Sequence, residues 1–283
     1  MSGLQFKIDQ EFVYGLDVKG DQRLNEGSLI LLEPARDGIA GIPASLNNYA
    51  YDSALELVGQ SIDKISLQNN LASAGGIAER TTKGGLHGIV PQNLTSANPR
   101  ISLSALLPAA LEAYFFNHLD HSYYLSLMGV VTRNVSASFS ANDIVLSGIY
   151  SGTQGSVNTQ QTPLVYQNKS TLNVTGGSTT ATGLLGRSFS TAQPAFCVDA
   201  AMSSLVLTAK TSNDSIKTDL FCIGQPSSGY LGGIPSWVFY SLYIEDLTVS
   251  GNTYAQANAL SQAVYASRFA DGGIYANDSW STP

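Results

Sequence analysis

The densest group of potential metal ligands in the sequence is His118-Leu119-Asp120-His121. Two histidines three positions apart can share one face of a helix, and a carboxylate beside them could add a further ligand. No third histidine or cysteine lies near them in the sequence. Imidazoles at the C-terminal end of a helix also interact favourably with its dipole. We therefore expect a helix end here, with no bound transition metal.

Paired carboxylates are the next chemistry to consider, because hydrolysis of a glycosidic bond needs two of them across one cleft. Glu245 and Asp246 are adjacent in a strand-like run, so their side chains should point to opposite faces. The other candidate glutamates are scattered along the chain, at Glu33, Glu56, Glu79 and Glu112. The Glu-x-Asp-x-x-Glu strand motif of jelly-roll glucanases is absent, as is a Gly-x-Ser-x-Gly nucleophile elbow. We predict no catalytic residues, no cofactor and no enzymatic activity.

The stretch from Trp237 to Ile244 consists of strong β-formers and a single serine. Simple alternation divides it into two apolar sets. One set is expected to contain Trp237, Phe239 and Tyr243, and the other Val238, Tyr240, Leu242 and Ile244. Because a strand that is apolar on both faces belongs in the middle of a packed sheet, we predict that this strand is central to the fold.

A turn and a helix are predicted directly after this strand. Ser250-Gly251-Asn252 has turn composition, and Thr253 with Gln256 has the spacing of a capping box. The helix should therefore begin at Thr253. Its inner stripe is expected to contain Ala257, Leu260, Ala263 and Val264.

Earlier parts of the chain also carry strand and helix patterns. Strands are predicted over 27–32 and 122–133, and a helix over 49–59 that ends near Gly59. Helical spacing of Leu107, Leu111 and Phe115 predicts a second helix over 101–119, with Ser104 as its cap. The glycine- and proline-rich segment over 60–99 is expected to be irregular, and 135–232 to contain short strands separated by turns.

The run Tyr240-Ser-Leu-Tyr-Ile-Glu-Asp-Leu247, with its turn and short helix, resembles the end of laminin-G-like domains. Strands 27–32 and 122–133 resemble the opening strand and the central aromatic strand of the same class. The resemblance implies a mainly β fold: a concanavalin A-like jelly-roll β-sandwich with helical and irregular insertions and a short C-terminal helix. The implied organisation is an N-terminal arm over 1–26, a sandwich over 27–270 with an insertion at about 33–120, and a C-terminal tail over 271–283 that packs back on a neighbour.

Jelly rolls of this class often hold calcium with loop Asp and Asn residues, and lectins among them stack aromatic rings on sugars. Possible calcium donors here are Asn142-Asp143, Asn213-Asp214 and Asn277-Asp278, all of which are also ordinary turn dipeptides. Aromatic rings that could stack on sugars are Tyr150, Tyr166 and Tyr230, although core or interface packing explains them equally well. Ordinary turns are the preferred interpretation of the dipeptides.

Composition narrows the classes of partner. Charged residues make up 12% of the chain, roughly half the usual share, and the net charge is −7 without any basic run. Nucleic-acid binding is therefore not expected. The sequence contains neither a signal-peptide pattern at MSGLQFKIDQEF nor an apolar run of about 18 residues, so no membrane span is expected. Cys197 and Cys222 are too few for a disulfide framework; we expect small buried residues, with a disulfide between neighbouring strands as the alternative.

The low charge, the surface rich in serine, threonine, asparagine and glycine, and the C-terminal pattern together resemble structural proteins of tailed-bacteriophage virions. The resemblance implies a non-enzymatic virion component, either a capsid decoration or a tail or fibre protein. Alternating Leu4, Phe6 and Ile8 predict an extended arm that, with the 60–100 region, mediates self-association into a homo-oligomer; the competing interpretation is that the arm folds back on its own sandwich. The alternatives are a glycan-binding module that recognises a host surface and, third, a polysaccharide-degrading enzyme on the same fold.

Overall fold

The computed structural model describes residues 20–38, 40–94, 101–133, 220–224 and 234–283 with their side chains, and several strands between 144 and 219 by their backbone. The strands in chain order are β1 (Ser28–Leu32), β2 (Ser45–Asn47), β3 (Lys64–Asn69), β4 (Ile77–Arg80), β5 (Leu86–Ile89), β6 (Ser102–Leu106), β7 (Tyr123–Arg133), β8 (Ile144–Gly148), β9 (Ser151–Gly152), β10 (Leu164–Asn168), β11 (Thr171–Thr175), β12 (Arg187–Ser188), β13 (Ala195–Met202), β14 (Ser215–Ile216), β15 (Asp219–Gly224) and β16 (Ser236–Asp246). The helices are α1 (Tyr51–Val58), α2 (Ala109–Asn117), α3 (Leu247–Ser250) and α4 (Tyr254–Phe269), with short 3-10 helices at Pro34–Asp37 and Leu71–Ala74. The predicted mainly β class is confirmed.

Strand β16 lies in the middle of the larger sheet, whose order is β13-β7-β16-β5-β4. It pairs antiparallel with β7 along its length, with β5 over 237–239 and with β1 over 242–245. Every residue of β16 is buried. The central position predicted for this strand is therefore confirmed.

A second sheet, of order β15-β6-β3-β2, shares one hydrophobic core with the larger sheet. Phe221 of β15 stacks on Phe239 of β16, with ring centroids 3.9 Å apart. Trp237 meets both rings edge-on. Two smaller sheets, β12-β11-β10-β8 and β14-β9, complete the strands that the structure describes.

The opposite face of the larger sheet is covered by α4 and the residues that follow it. Val264 and Tyr275 pack with Tyr240, whereas Ala257 packs with Tyr243. Strand β16 is apolar on both faces because one face meets the shared core and the other meets α4.

A β-bulge between Phe239 and Ser241 interrupts the alternation of β16. Before the bulge, the side chains face the predicted sides. After it, Leu242 and Ile244 enter the shared core, whereas Tyr243 packs under α4. The predicted sides of these three residues relative to Trp237 are therefore wrong, because an extra residue shifts a period-two pattern by one.

The helix boundaries follow the capping signals in the sequence. Helix α1 ends at Gly59, whose φ of 72° is in the left-handed region that glycine tolerates. Helix α4 has Thr253 as its N-cap, as predicted, and both hydrogen bonds of the capping box to Gln256 are formed. Its buried stripe contains Ala257, Ser261 and Val264, whereas the predicted Ala263 is exposed.

Two predictions for the first half of the chain are wrong. Residues 102–106 form strand β6 and only 109–117 are helical, because Ile101, Leu103 and Ala105 alternate into the core at the period of a strand. The segment over 60–99 is not irregular in its described part. It forms β3, β4 and β5; Gly75, Gly76, Gly84 and Gly85 lie in the connections between these strands, whereas Gly88 lies within β5.

The C-terminal tail packs on its own chain. Asp278 accepts hydrogen bonds from Thr82 Oγ1 at 2.9 Å and Lys83 N at 2.7 Å in the β4–β5 turn, and from Tyr240 OH at 2.6 Å. Ser281 donates to Glu79 of β4. The neighbour that the tail was predicted to contact is thus the β4–β5 hairpin of the same chain.

The predicted N-terminal arm lies largely outside the described residues, including Leu4, Phe6 and Ile8. Its last part, 20–26, packs against the domain, with Asp21 and Arg23 buried. The proposed division at residues 27 and 271 stays a prediction. Within the described part of the chain, the helices lack the combination of length and hydropathy that a bilayer-spanning helix needs.

Candidate functional site

A cleft of about 640 Å³ lies between the first described residues, the Pro34–Asp37 helix and the C-terminal end of α4. It is lined by residues from these three places together with one tyrosine: Gly20, Asp21, Gln22, Glu33, Arg36, Tyr49, Ala263, Val264, Ser267, Arg268, Gly272, Gly273 and Ile274. Its volume falls within the range of roughly 300–1,000 Å³ that is common for small-molecule sites.

Local sequence signals place Arg36 on one wall of this cleft. Strand β1 leads into Glu33, and Pro34 then opens the short 3-10 helix, a position at which proline is well tolerated. Arg80 Nη2 donates to the Pro34 carbonyl at 2.7 Å, which fixes this turn to β4. Arg36 follows within the helix and forms an ion pair with Glu33 at 2.5 Å.

The end of α4 places Arg268 on the facing wall. The chain turns back sharply after this helix, and Tyr275 N donates to the carbonyl of Arg268 at 3.0 Å. A Cβ on Gly273 would lie 2.4 Å from the same carbonyl, so the turn requires glycine there. The turn carries Ile274 to the cleft and buries Tyr275 beneath it.

Three guanidinium groups converge on one carboxylate oxygen of Asp21. Oδ2 accepts from Arg23 Nη2 at 2.9 Å, Arg36 Nη2 at 3.2 Å and Arg268 Nη2 at 2.8 Å. Glu33 is the second anion of this group, with Oε1 at 2.6 Å from Arg268 Nη1. We call these five residues the charged floor of the cleft; the partly exposed Arg36 and Arg268 extend from it into the two walls.

The charges of this floor are unequally exposed. The side chains of Asp21 and Glu33 are 0% exposed, whereas those of Arg36 and Arg268 are 24% and 11% exposed. Burial alone would raise the pKa of Asp21, but the hydrogen bonds and charge of Arg23 and the charge of Arg268 outweigh it. The pKa of Asp21 therefore lies well below its usual range, and the carboxyl group is ionised.

Two tyrosines complete the polar surroundings. Tyr49 lies under Arg36, with the guanidinium carbon 5.3 Å from its ring centroid, and its hydroxyl donates to Asp37 Oδ1 at 2.8 Å. Burial, and then the hydrogen bond to Asp37, raise the pKa of Tyr49, so its hydroxyl is neutral. Tyr275 is buried and donates to Glu33 Oε1 at 3.2 Å, and burial raises its pKa as well.

The bulged part of β16 supports the floor from below. Arg23 Nη2 contacts Ser241 Oγ at 3.3 Å, and its guanidinium lies 5.3 Å from the ring centroid of Tyr243. The Tyr243 hydroxyl donates to the Arg23 carbonyl at 2.6 Å. Because the bulge turns Ser241 and Tyr243 toward α4, it provides the contacts that hold Arg23.

The predicted histidine cluster lies at a different place, at the end of α2. His118 is the C-terminal cap of α2, and its Nδ1 lies 2.8 Å from the Tyr114 carbonyl oxygen. His121 Nδ1 lies 2.6 Å from Asp246 Oδ2, which also accepts from Tyr114 OH at 2.7 Å. The predicted helix end is confirmed. The exposed Asp120 is not part of this group, and the side chains that the structure describes contain no cluster of three or more residues suited to a metal ion.

Glu245 and Asp246 contact different parts of the protein, as their alternation predicts. Glu245 Oε1 accepts from Asn25, Ser250 and Asn252, beside the charged floor. Asp246 contacts the α2 end and caps α3 through backbone N–H groups of 248 and 249. The two carboxylates therefore cannot act as a pair across one cleft.

The remaining candidates divide into two groups. Asp278 is fully engaged in docking the tail, and Asn277 has a φ of 54°, so this dipeptide forms a turn. Cys222 is buried as a free thiol on β15 of the second sheet, whereas the strand that contains Cys197 belongs to the larger sheet. The alternative of a disulfide between neighbouring strands is therefore wrong. The others lie outside the described side chains: Asn142-Asp143, Asn213-Asp214, Tyr150, Tyr166 and Tyr230.

No residue pattern in the sequence predicts the charged cleft. Asp21 and Arg268 are separated by 247 positions, so no spacing rule joins them. A buried ion network assembled from distant segments leaves no local pattern in a sequence.

No family model and no curated protein matches this chain. Among solved structures, it is similar to a Trypanosoma rangeli sialidase in complex with sialic acid, at 11% identity and a TM-score of 0.46, over 84% of this chain and 33% of the sialidase. It is also similar to a structure titled for the dependence of botulinum neurotoxin type C cell entry on two ganglioside molecules, at 9% identity and a TM-score of 0.41, over 85% of this chain and 52% of that one. The chain thus spans a third to about half of these proteins, and at TM-scores below 0.5 the likenesses carry no inference about activity.

Proposed function

We propose that this protein is a non-enzymatic binding module that holds a glycan in the cleft between the Pro34–Asp37 helix and the end of α4. The observation that carries the proposal is the arrangement of the cleft wall. Two partly exposed guanidinium groups, from Arg36 and Arg268, lie beside the half-buried Tyr49 and the exposed Gln22 and Ser267. Such a mixture of hydrogen-bonding groups and an aromatic residue suits a ligand with many hydroxyl groups.

The wall is organised before any ligand arrives. Arg36 and Arg268 are each fixed to both Asp21 and Glu33, so their rotamers are set by ion pairs. Binding then orders few additional side chains, which lowers the entropic cost of association. This preorganisation supports a binding role for the cleft.

The carboxylates of the cleft favour binding over hydrolysis. A glycosidase needs an acid that can give its proton to the leaving group. The pKa of Asp21 is lowered. The side chains of both Asp21 and Glu33 are buried beneath arginines. Neither group is therefore suited to proton transfer to a sugar, and we propose that the protein is not an enzyme.

The test is a glycan-binding screen of the whole chain, followed by calorimetry with the best ligand. Arg36→Ala should weaken binding at least tenfold, because it removes a wall residue of the cleft. Lys64→Ala is the matched control, since this exposed cation lies on β3 of the second sheet and does not line the cleft. Equal affinities for the parent and the Arg36 variant would contradict a ligand in this cleft.

A second candidate function is a structural component of a bacteriophage virion that self-associates, on a concanavalin A-like jelly roll. The low share of charged residues, 12%, favours it, and the sharing of one core by two sheets fits the implied sandwich. Light scattering of the whole chain should show a homo-oligomer, and deletion of residues 1–20 should give a smaller species that still melts cooperatively. A monomeric parent, or an unchanged oligomer after deletion, would contradict self-association through the arm.

A further inference from the structure

We infer that the ligand of this cleft carries a carboxylate, so that the module recognises an acidic glycan rather than a neutral one. The inference rests on the proposed function and concerns the same site. It follows from which charges of the cleft a ligand can reach.

The accessible charge of the cleft is positive although the chain has a net charge of −7. Asp21 and Glu33 are covered, whereas Arg36 and Arg268 expose part of their side chains. The other exposed lining residues carry no charge: Gly20, Gln22, Ala263, Ser267, Gly272 and Ile274. An incoming ligand therefore meets guanidinium edges rather than carboxylates.

Arg36 retains a donor for such a ligand. Its Nε and Nη2 are engaged by Glu33 and Asp21, at 2.5 Å and 3.2 Å. Its Nη1 has no hydrogen-bond or ion-pair partner among the described residues. Because a guanidinium group offers charged, planar donors that suit a carboxylate, this edge favours the carboxylate of an acidic sugar over the hydroxyl group of a neutral one.

The two buried anions also explain why the guanidinium groups hold one position. Asp21 and Glu33 fix three arginines from segments far apart in the sequence, and the like charges of the arginines are held together by them. A ligand carboxylate can then bind at the outer edge without displacing Asp21. The chain carries a net charge of −7, whereas the partly exposed charged groups that line the cleft are cationic, so an anion is favoured there.

The experiment compares acidic glycans with their own neutral forms. Oligogalacturonides and sialylated oligosaccharides are each measured by calorimetry beside the carboxyl-reduced compound, at low and at high salt. For the glycan that binds, the acidic form should bind at least tenfold more tightly, and the difference should shrink at high salt. Arg36→Ala should abolish this preference, Arg36→Lys should keep only part of it, and Lys64→Ala should leave it unchanged.

The outcomes separate the inference from the proposed function. Equal binding of acidic and neutral forms, with both weakened by Arg36→Ala, overturns the inference and leaves a glycan in the cleft. Preference for the acid that survives Arg36→Ala and Arg36→Lys also overturns it, because the carboxylate would then bind elsewhere. Binding of none of these glycans by the folded parent overturns the inference, whereas binding of no glycan in the broader screen overturns the proposed function as well. Circular dichroism melts of each variant establish that the fold is kept.

Discussion

Asp21→Asn should destabilise the protein strongly, because it removes the charge on which three guanidinium groups converge. The amide keeps the size of the side chain, so the effect isolates the charge. Oδ2 of Asp21 accepts three bonds of 2.8 to 3.2 Å, and Asp21 and Arg23 both have 0% exposed side chains. Removal of one member of a buried ion pair costs about 3–5 kcal/mol, since the opposite charge stays buried.

Glu33, the second anion of the charged floor, keeps the expected loss of unfolding free energy within this range. Glu33 still pairs with Arg36 and Arg268 after the substitution, so these two groups lose less than Arg23 does. With a urea m-value of about 3 kcal/mol per M, the loss lowers the unfolding midpoint by about 1–1.7 M. Asp52→Asn is the matched control, because Asp52 is exposed in the first turn of α1.

The pH dependence gives an independent check on the same carboxylate. Because the pKa of folded Asp21 is lowered, its stabilising contribution is complete above the unfolded value of about 4 and is lost as the pH falls towards the folded value. The midpoint of Asp21→Asn should therefore fall less steeply below pH 4 than that of the parent. A variant within about 0.5 kcal/mol of the parent at pH 7 would refute the role of Asp21 as the centre of the network.

Three other predictions follow from the core and the histidines. Trp237→Ala and Tyr243→Ala should each cost about 3–5 kcal/mol in urea unfolding, and melting temperatures within a degree or two of the parent would contradict their burial. Burial lowers the pKa of His87 in the folded protein despite its contact with Glu79. The free energy of unfolding should therefore show no loss from His87 above about pH 6.5, its value in the unfolded chain, and should decrease as the pH falls below that value. His87→Asn should remove this decrease. Elemental analysis should find less than one zinc or iron per chain, and stoichiometric metal that is lost on His118→Ala or His121→Ala would contradict this.

The parts of the fold that were predictable depend on local signals. The capping box at Thr253, the left-handed end of α1 at Gly59 and the two-sided apolar run of β16 are each specified within a few residues. Strand β6 was missed because Leu107, Leu111 and Phe115 have helical spacing, while the alternation that begins at Ile101 points to the core. Pairing with β3 and β15 decides between the two patterns, and neither partner is near in sequence.

The cleft was not predictable for a related reason. A β-bulge is not marked by any residue type in Phe239-Tyr240-Ser241, yet it decides that Tyr243 supports Arg23 instead of entering the shared core. The charged floor likewise depends on residues brought together by the sheet. Sequence patterns thus specified the elements of the fold, whereas the site depends on their register and on contacts between distant segments.

The ion network between Asp21 and Arg268 also has a consequence for biosynthesis. Since 247 positions separate these residues, and ribosomes add about 5–20 residues per second, Asp21 emerges roughly 12–50 s before its partner. Strand β1 is synthesised before its pairing partner β16 by a similar interval, and during that time β16 cannot cover its apolar residues. The sheet around β16 and the charged floor can therefore be completed only after β16 and α4 have been synthesised, and the first half of the domain cannot reach its native structure before then.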